Sequence, residues 1–320
     1  MKIARYLDNG FAHTGIVFHD HVLLDLPTNL SVLEILNLPR AERDRLEGAA
    51  GRFMKRPIDQ VVFLPPIESR CVRDFVVFEK HIAGMKKSEG GDGTVPAGWY
   101  DQPVFIHMNP YTLIGSGQDL PMPPLTQALD FELELAAIVG KQGRDLTPEE
   151  AGKHIVGYSI FNDWSARDLQ RAEMSVGLGP SKGKDFASTL GPWITSADEL
   201  EKYREGDRLA LDMSVSINGV EFGRDNSRQM SWSFEELVSH ASRGSIVGAG
   251  DVLASGTAGG GALSEVWSRT GKREPGPLQV GDVIEMTIQG IGTIRNKIVE
   301  QVSPGHTIPK ARRTYNEDQL

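Results

Sequence analysis

Glu132 and Glu134 stand two residues apart in the run Phe131-Glu132-Leu133-Glu134-Leu135. A two-residue side-chain period puts both carboxylates on one face of a strand and the three apolar side chains on the other. On a buried face, two like charges so close are costly unless a cation neutralises them, and hard oxygen ligands suit Mg2+, Ca2+ or Mn2+. On an exposed face the same pair is two solvated glutamates, and this segment taken alone favours that plainer reading. Asp163 follows the apolar run Ile160-Phe161-Asn162 and is expected at a strand end, where it either completes a three-carboxylate site or caps the helix-like stretch behind it. On that stretch Arg167 and Gln170 are three apart and share a face, so both can address an anionic group; the alternative for Arg167 is a surface ion pair. The glycine-rich run from Leu178 to Phe186 adds Lys182 and Lys184, cations that would be solvated by default.

Elements must bring these residues together. Short strand-like runs at Ile3–Leu7 and Gly15–Leu24, a helix at Ser31–Leu46 and a strand at Gln60–Leu64 precede Pro65-Pro66, a pair that breaks regular structure and marks the end of a small N-terminal domain over residues 1–66. Phe75, Phe78 and Ile82 recur at helical spacing and predict a helix around Asp74–Gly84. The polar, glycine-rich stretch Ser88–Gly98 reads as a mobile loop and candidate lid rather than a phosphate cradle, since its spacing matches no phosphate loop. Beyond it, strand-like composition at 131–139, 155–161, 208–222, 251–255 and 282–288 describes a β-rich body. Asn218-Gly219 marks a hairpin turn inside the run 208–222, because a type I′ turn needs two residues tolerant of positive φ. Thr147-Pro148-Glu149-Glu150 and Ser233 with Glu236 are helix-start signals. Strands and helices do not alternate regularly, and the reading is an α+β architecture on an antiparallel or mixed sheet.

Composition narrows the function. The chain has 320 residues, 39% hydrophobic and 24% charged, ample for a large packed core and unlike a disordered chain. A net charge of −9 without clustered Lys and Arg argues against a nucleic-acid partner. The one cysteine, Cys71, excludes an internal disulfide framework and suits the cytoplasm; it reads as a packing residue rather than a nucleophile. No apolar run approaches the ~18 residues of a membrane span or forms a secretory leader, so neither export nor membrane insertion is expected.

The ordered set closely resembles the fumarylacetoacetate hydrolase family over about residues 60–300. It runs from Glu132-x-Glu134 to Asn162-Asp163-Trp164-Ser165-Ala166-Arg167-Asp168-Leu169-Gln170, then Gly183-Lys184-Asp185-Phe186 and Ser255-Gly256-Thr257. The resemblance implies a mixed β-sheet roll or sandwich over residues 67–320, with Glu132, Glu134 and Asp163 as ligands of Mg2+, or of Ca2+ or Mn2+. Arg73-Asp74-Phe75 followed by His81 is similar to the fumarylacetoacetase-like branch, which implies Asp74 as a fourth ligand and His81 as general base. Glu265 is the implied partner that orients His81. Arg167, Gln170 and Lys184 would stabilise charge on substrate oxygens, with Lys182 a rival for the lysine role, and Thr257 would touch substrate. The implied reaction is metal-dependent cleavage of a carbon–carbon bond in an acylpyruvate or 1,3-diketo acid through a metal-stabilised enolate. Oxaloacetate decarboxylation and hydration or isomerisation of unsaturated 2-oxo dioates are the alternatives. A homodimer acting in aromatic catabolism is implied as well. Met174 falls near the place of one substrate-contacting tyrosine of fumarylacetoacetase, and Tyr111 aligns with another only loosely. Specificity is expected from Ser88–Gly98 and Tyr100–Gly117, and the tail 311–320 is expected to be mobile.

Overall fold

Every residue of the strand Leu133–Val139 is buried, so both of its faces must be covered by other layers of the protein. The computed structural model describes residues 1–26, 28–52, 54–88 and 92–312. Within them Leu133–Val139 lies between two antiparallel neighbours, Ile155–Asp163 and Val252–Ala254. Val252–Ala254 runs parallel to Val72–Phe75, which pairs in turn with the edge strand Phe105–Met108. In the other direction the same sheet continues through Ser188–Ser196, Lys2–Asp8, Phe11–Phe18 and Val22–Asp25 to Lys55–Pro57. The N-terminal segment is therefore hydrogen-bonded into the large sheet, with Ile3 opposite Ile194.

A second sheet, ordered Val220–Asn226, Asp212–Ile217, Val283–Ile288, Gly292–Val299 and Leu120–Pro121, packs against the first. Its Met213, Val215, Met286 and Ile294 share one buried cluster with Leu133, Leu135 and Ala137. Each such side chain removed from water contributes about 1.5–3 kcal/mol before the cost of ordering it. The molecule is α+β with a mixed sheet, as expected. Among the described residues no helix is long and apolar enough to cross a membrane.

Several elements differ from the sequence expectation, each for a local reason. The expected helix 31–46 is two helices, Val32–Leu36 and Arg40–Ala50, because Pro39 cannot continue the first and serves as N-cap of the second. The run 15–24 is split into two strands by a turn in which His19 and Asp20 have φ of 52° and 57°. The expected strand 60–64 opens with a 3-10 turn at Ile58–Gln60 and is confined to Val62–Leu64. Asp74 stands on the strand Val72–Phe75, not on a helix, and the helix begins only at Glu79. Sheet pairing on both sides overrides the helical spacing there. The strand Ser188–Ser196 carries no strand signal in the sequence because Gly191-Pro192 interrupts it. Its proline is accommodated at an irregularity of pairing opposite Ser159, whose hydroxyl donates to the carbonyls of Gly191 (3.0 Å) and Trp193 (2.9 Å). The Asn218-Gly219 turn has φ of 52° and 78° and joins the two expected strands. Both expected capping boxes, Thr147 with Glu150 and Ser233 with Glu236, are formed.

Candidate functional site

Four adjacent strands and the segments at their ends converge on one point. Glu134 lies at the start of Leu133–Val139 opposite Phe161, Asp163 ends the next strand, and the Asp163 amide donates to the Glu132 carbonyl. Asp74 comes from the far side of Val252–Ala254, where it pairs with Ala254. One oxygen from each of Asp74, Glu132, Glu134 and Asp163 lies within 4.8 Å of the others, and all four residues are buried. The plainer reading, two solvated glutamates on an open face, is excluded by their 5% and 0% exposure.

Two cations reach this cluster. Lys184 Nζ donates to Glu132 Oε2 at 2.6 Å and also to Asp163 Oδ2. Arg167 Nη2 is 2.7 Å from Glu132 Oε1 and Nη1 donates to Gln170 at 3.1 Å. Burial opposes the Glu132 charge, but Lys184 and Arg167 outweigh it and hold the carboxyl well below the usual carboxylate range. The other three behave oppositely. Burial pushes Asp74 up to about 6 against the pull of Lys184. Burial, reinforced by Asp74, Glu132 and Asp163, drives Glu134 well above its ordinary value, and burial does the same to Asp163 despite Lys184. One oxygen each of Asp74, Glu134 and Asp163 is buried without any hydrogen-bond partner. Such orphaned carboxylate oxygens cost free energy until a cation takes them, and an all-oxygen donor set fits Mg2+, Mn2+ or Ca2+.

Asp74, Glu132 and Glu134 line a cavity of about 390 Å³ that also takes in His81, Arg167, Gln170, Lys184 and Thr257, and Asp163 is clustered with those three carboxylates. His81 stands on the helix Glu79–Ser88 and Glu265 on the helix Leu263–Thr270; His81 Nδ1 is 2.7 Å from Glu265 Oε1. Glu265 Oε2 accepts from the Gly260 amide at 2.8 Å, so the carboxylate is fixed from both sides. A carboxylate only accepts, so Nδ1 is the nitrogen of His81 that donates to Glu265, and Nε2 is the ring nitrogen not used in that bond. Lys182 is excluded from the site: its side chain is 73% exposed and pairs with Asp185. Tyr111 is 95% exposed, whereas Met174 lines the cavity. Residues 89–91 of the expected lid and residues 313–320 of the tail lie outside the described residues. Cys71 is part-buried, and burial pushes its thiol up.

The family model "Fumarylacetoacetate (FAA) hydrolase C-terminal" matches residues 70–299. The chain belongs to the fumarylacetoacetate hydrolase family. It is 32% identical over 304 residues to the oxaloacetate tautomerase YisK of Bacillus subtilis, covering 89% of this chain and 95% of that one. To the fumarylacetoacetase of Arabidopsis thaliana it is 29% identical over 242 residues, which is 63% of this chain and 54% of the relative. The fumarylacetoacetate hydrolase structure from Exiguobacterium antarcticum superposes with a TM-score of 0.70 at 28% identity, covering 94% of this chain and all of that one. A maleylpyruvate hydrolase from Sphingobium sp. SYK-6, solved with manganese(II) and pyruvate, shares the fold at TM-score 0.68 and 23% identity, over 94% of this chain and all of that one.

Three residues to which the sequence assigns no role of their own support the site. Asp130, fully buried, accepts from Arg167 Nε at 2.8 Å. It stands two residues before Glu132, so the same two-residue period that pairs Glu132 with Glu134 was a signal for it. Asn162 Oδ1 accepts from the Glu132 amide at 3.0 Å and fixes the backbone under that carboxylate. The Gly256 amide donates to Glu134 Oε2 at 3.1 Å; with φ of +77° and the Phe75 carbonyl 2.3 Å from where a Cβ would stand, this position takes only glycine.

Proposed function

We propose that this chain is a divalent-metal-dependent enzyme of 2-oxo acid chemistry that hydrolyses a carbon–carbon bond in an acylpyruvate or related 1,3-diketo acid. The observation that carries the proposal is His81, held by Glu265 at 2.7 Å, lining the same cavity as Asp74, Glu132 and Glu134 of a four-carboxylate cluster suited to a cation. Asp74, Glu132, Glu134 and Asp163 would hold the cation, Mg2+ by preference with Mn2+ or Ca2+ able to replace it. Bound there, it would supply Lewis-acid stabilisation of negative charge on the substrate oxygens. His81 Nε2 takes a proton from water, and the hydroxide oxygen bonds to the acyl carbonyl carbon. When the carbon–carbon bond breaks, its electron pair passes to the pyruvate fragment, and the proton held by His81 goes to that carbon. The products are pyruvate and a carboxylic acid, which gives up its remaining proton to solvent at neutral pH. Arg167, Gln170 and Lys184 hold the oxygens on which charge develops, and Thr257 contacts substrate beside them.

The outer wall of the cavity is Ile82, Met85, Val104, Phe105, Ile106 and Met174, so the acyl substituent is proposed to be apolar. Lys86 also lines the cavity, and substrates ending in a second carboxylate are the comparison that tests this. The proposal extends to a homodimer in the cytoplasm, with a small N-terminal unit ending near Pro66.

One observation favours a second reading. The Bacillus subtilis relative named for oxaloacetate tautomerisation is matched along 95% of its length, the plant fumarylacetoacetase along 54%. Keto–enol transfer of oxaloacetate, or its decarboxylation, needs the same oxygen-binding residues but no attacking water. The deciding experiment is a panel of acylpyruvates graded in chain length and charge, run beside oxaloacetate, with Mg2+, Mn2+ or chelator, in wild type and His81→Ala. Hydrolysis that falls by about 10²–10⁴ in His81→Ala supports the first reading. No hydrolysis by either protein, with oxaloacetate turned over, establishes the second.

A further inference from the structure

Asp130 has no part in the chemistry above, yet its carboxylate joins the residues that do. It is 0% exposed, and its oxygens are fully engaged. Oδ1 accepts from the amides of Phe131 and Leu263, both at 2.8 Å. Oδ2 accepts from the Ser264 amide at 3.0 Å and lies 2.8 Å from both Nε and Nη2 of Arg167. Leu263 and Ser264 open the helix that carries Glu265, and the N-cap residue Ala262 has no side chain able to cap it. Asp130 thus supplies, from 133 residues away, the acceptor that this helix lacks locally. The same oxygen that receives Ser264 orients the Arg167 fork toward Glu132 and Gln170.

We propose that Asp130 is a positioning residue that fixes the anion-reading Arg167 and the His81–Glu265 pair at a set separation. The inference rests on the functional reading above. Arg167 would hold the anionic end of the substrate and His81 the attacking water, and a misplacement of about 1 Å between two such groups costs roughly 10²-fold in rate. One buried carboxylate bonded to both supports removes that freedom without touching substrate.

Asp130→Asn tests it, because the shape is kept while an NH2 donor replaces one of two oxygens that both face only donors. The expected result is a kcat lower by about 10–100-fold and a KM higher by several-fold, with Mn2+ affinity, read by titration, within about 3-fold of wild type. In the Glu265→Gln background the same substitution should cost kcat several-fold less than in the wild type, since the part of its effect that passes through Glu265 is already lost. An undiminished cost in that background, or loss of Mn2+ binding, overturns the proposal. If Asp130→Asn does not fold, amide hydrogen exchange in Arg167→Gln replaces it. Exchange at Leu263 and Ser264 faster by about 10-fold supports the link, and unchanged exchange overturns it. The exchange and Mn2+ measurements need no substrate, so a wild-type protein inert to every acylpyruvate and to oxaloacetate would defeat the functional reading while leaving the link between Arg167 and the helix separately tested.

Discussion

At the scale of single residues, the site is held in a state of electrostatic tension. Glu134 is fully buried, has one oxygen without a partner, and is driven well above its ordinary pKa by burial and by Asp74, Glu132 and Asp163. Glu134→Gln should therefore raise the unfolding free energy of the chelated protein by about 1–3 kcal/mol while abolishing most of the stabilisation that Mn2+ gives the wild type. Thermal midpoints in chelator and in Mn2+ check both halves, and a variant less stable than wild type in chelator would contradict the first. Glu132 and Glu134 were visible in the sequence as a pair, but their burial was not, and burial decides between solvated carboxylates and a cation site. His81 and Glu265 lie 184 residues apart, so nothing in their own surroundings in the chain announced that they touch. Only their resemblance to a family pattern did. Lys184 and Lys182 were rivals in the sequence, and the turn that buries the first leaves the second at the surface.

At the scale of elements, close backbone approach and ion pairing place the strands that carry the site. Gly256→Ala would set a Cβ 2.3 Å from the Phe75 carbonyl at a φ of +77°, pushing apart the segments that deliver Glu134 and Asp74. A loss of at least about 2 kcal/mol in urea unfolding is expected, together with weaker Mn2+ binding. On the opposite side, Arg43 in the helix Arg40–Ala50 forms two hydrogen bonds to Asp198, at 3.1 and 2.9 Å, and ties that helix to the body. Burial raises the Asp198 carboxyl, but bonds from Arg43 and Ser196 prevail and lower it from 3.8 to about 2. A depressed folded-state pKa gives stability that is complete above the unfolded value and disappears as pH falls through the folded one. The stability difference between wild type and Asp198→Asn, about 1 kcal/mol for this part-buried pair near the surface, should be constant above pH 5 and close between about 4 and 2. Helix starts and the Asn218-Gly219 hairpin were legible because their determinants are local. The strand Ser188–Ser196 was not, because its proline reads as a break until the pairing irregularity at Ser159 is seen.

At the scale of the whole molecule, cation binding and folding stability are linked, since an unfolded chain cannot bring four carboxylates together. Mg2+ or Mn2+ at a hundred times its dissociation constant should raise the unfolding free energy by about 2.7 kcal/mol, and chelator should remove that gain. Calorimetric scans across a cation series measure it; a midpoint indifferent to every divalent cation would refute the metal site. The order of strands carries a further consequence. Asp163, Glu134 and Asp74 are neighbours across the sheet, but Asp74 joins the other two only through Val252–Ala254, which enters between strands made far earlier in the chain. On the ribosome, then, the emerging polypeptide has all four carboxylates in hand long before it can use them. Capture of the cation must wait until residues beyond Gly256 have cleared the exit tunnel, which makes metal loading a late event in the life of the nascent protein and a marker that its sheet is complete.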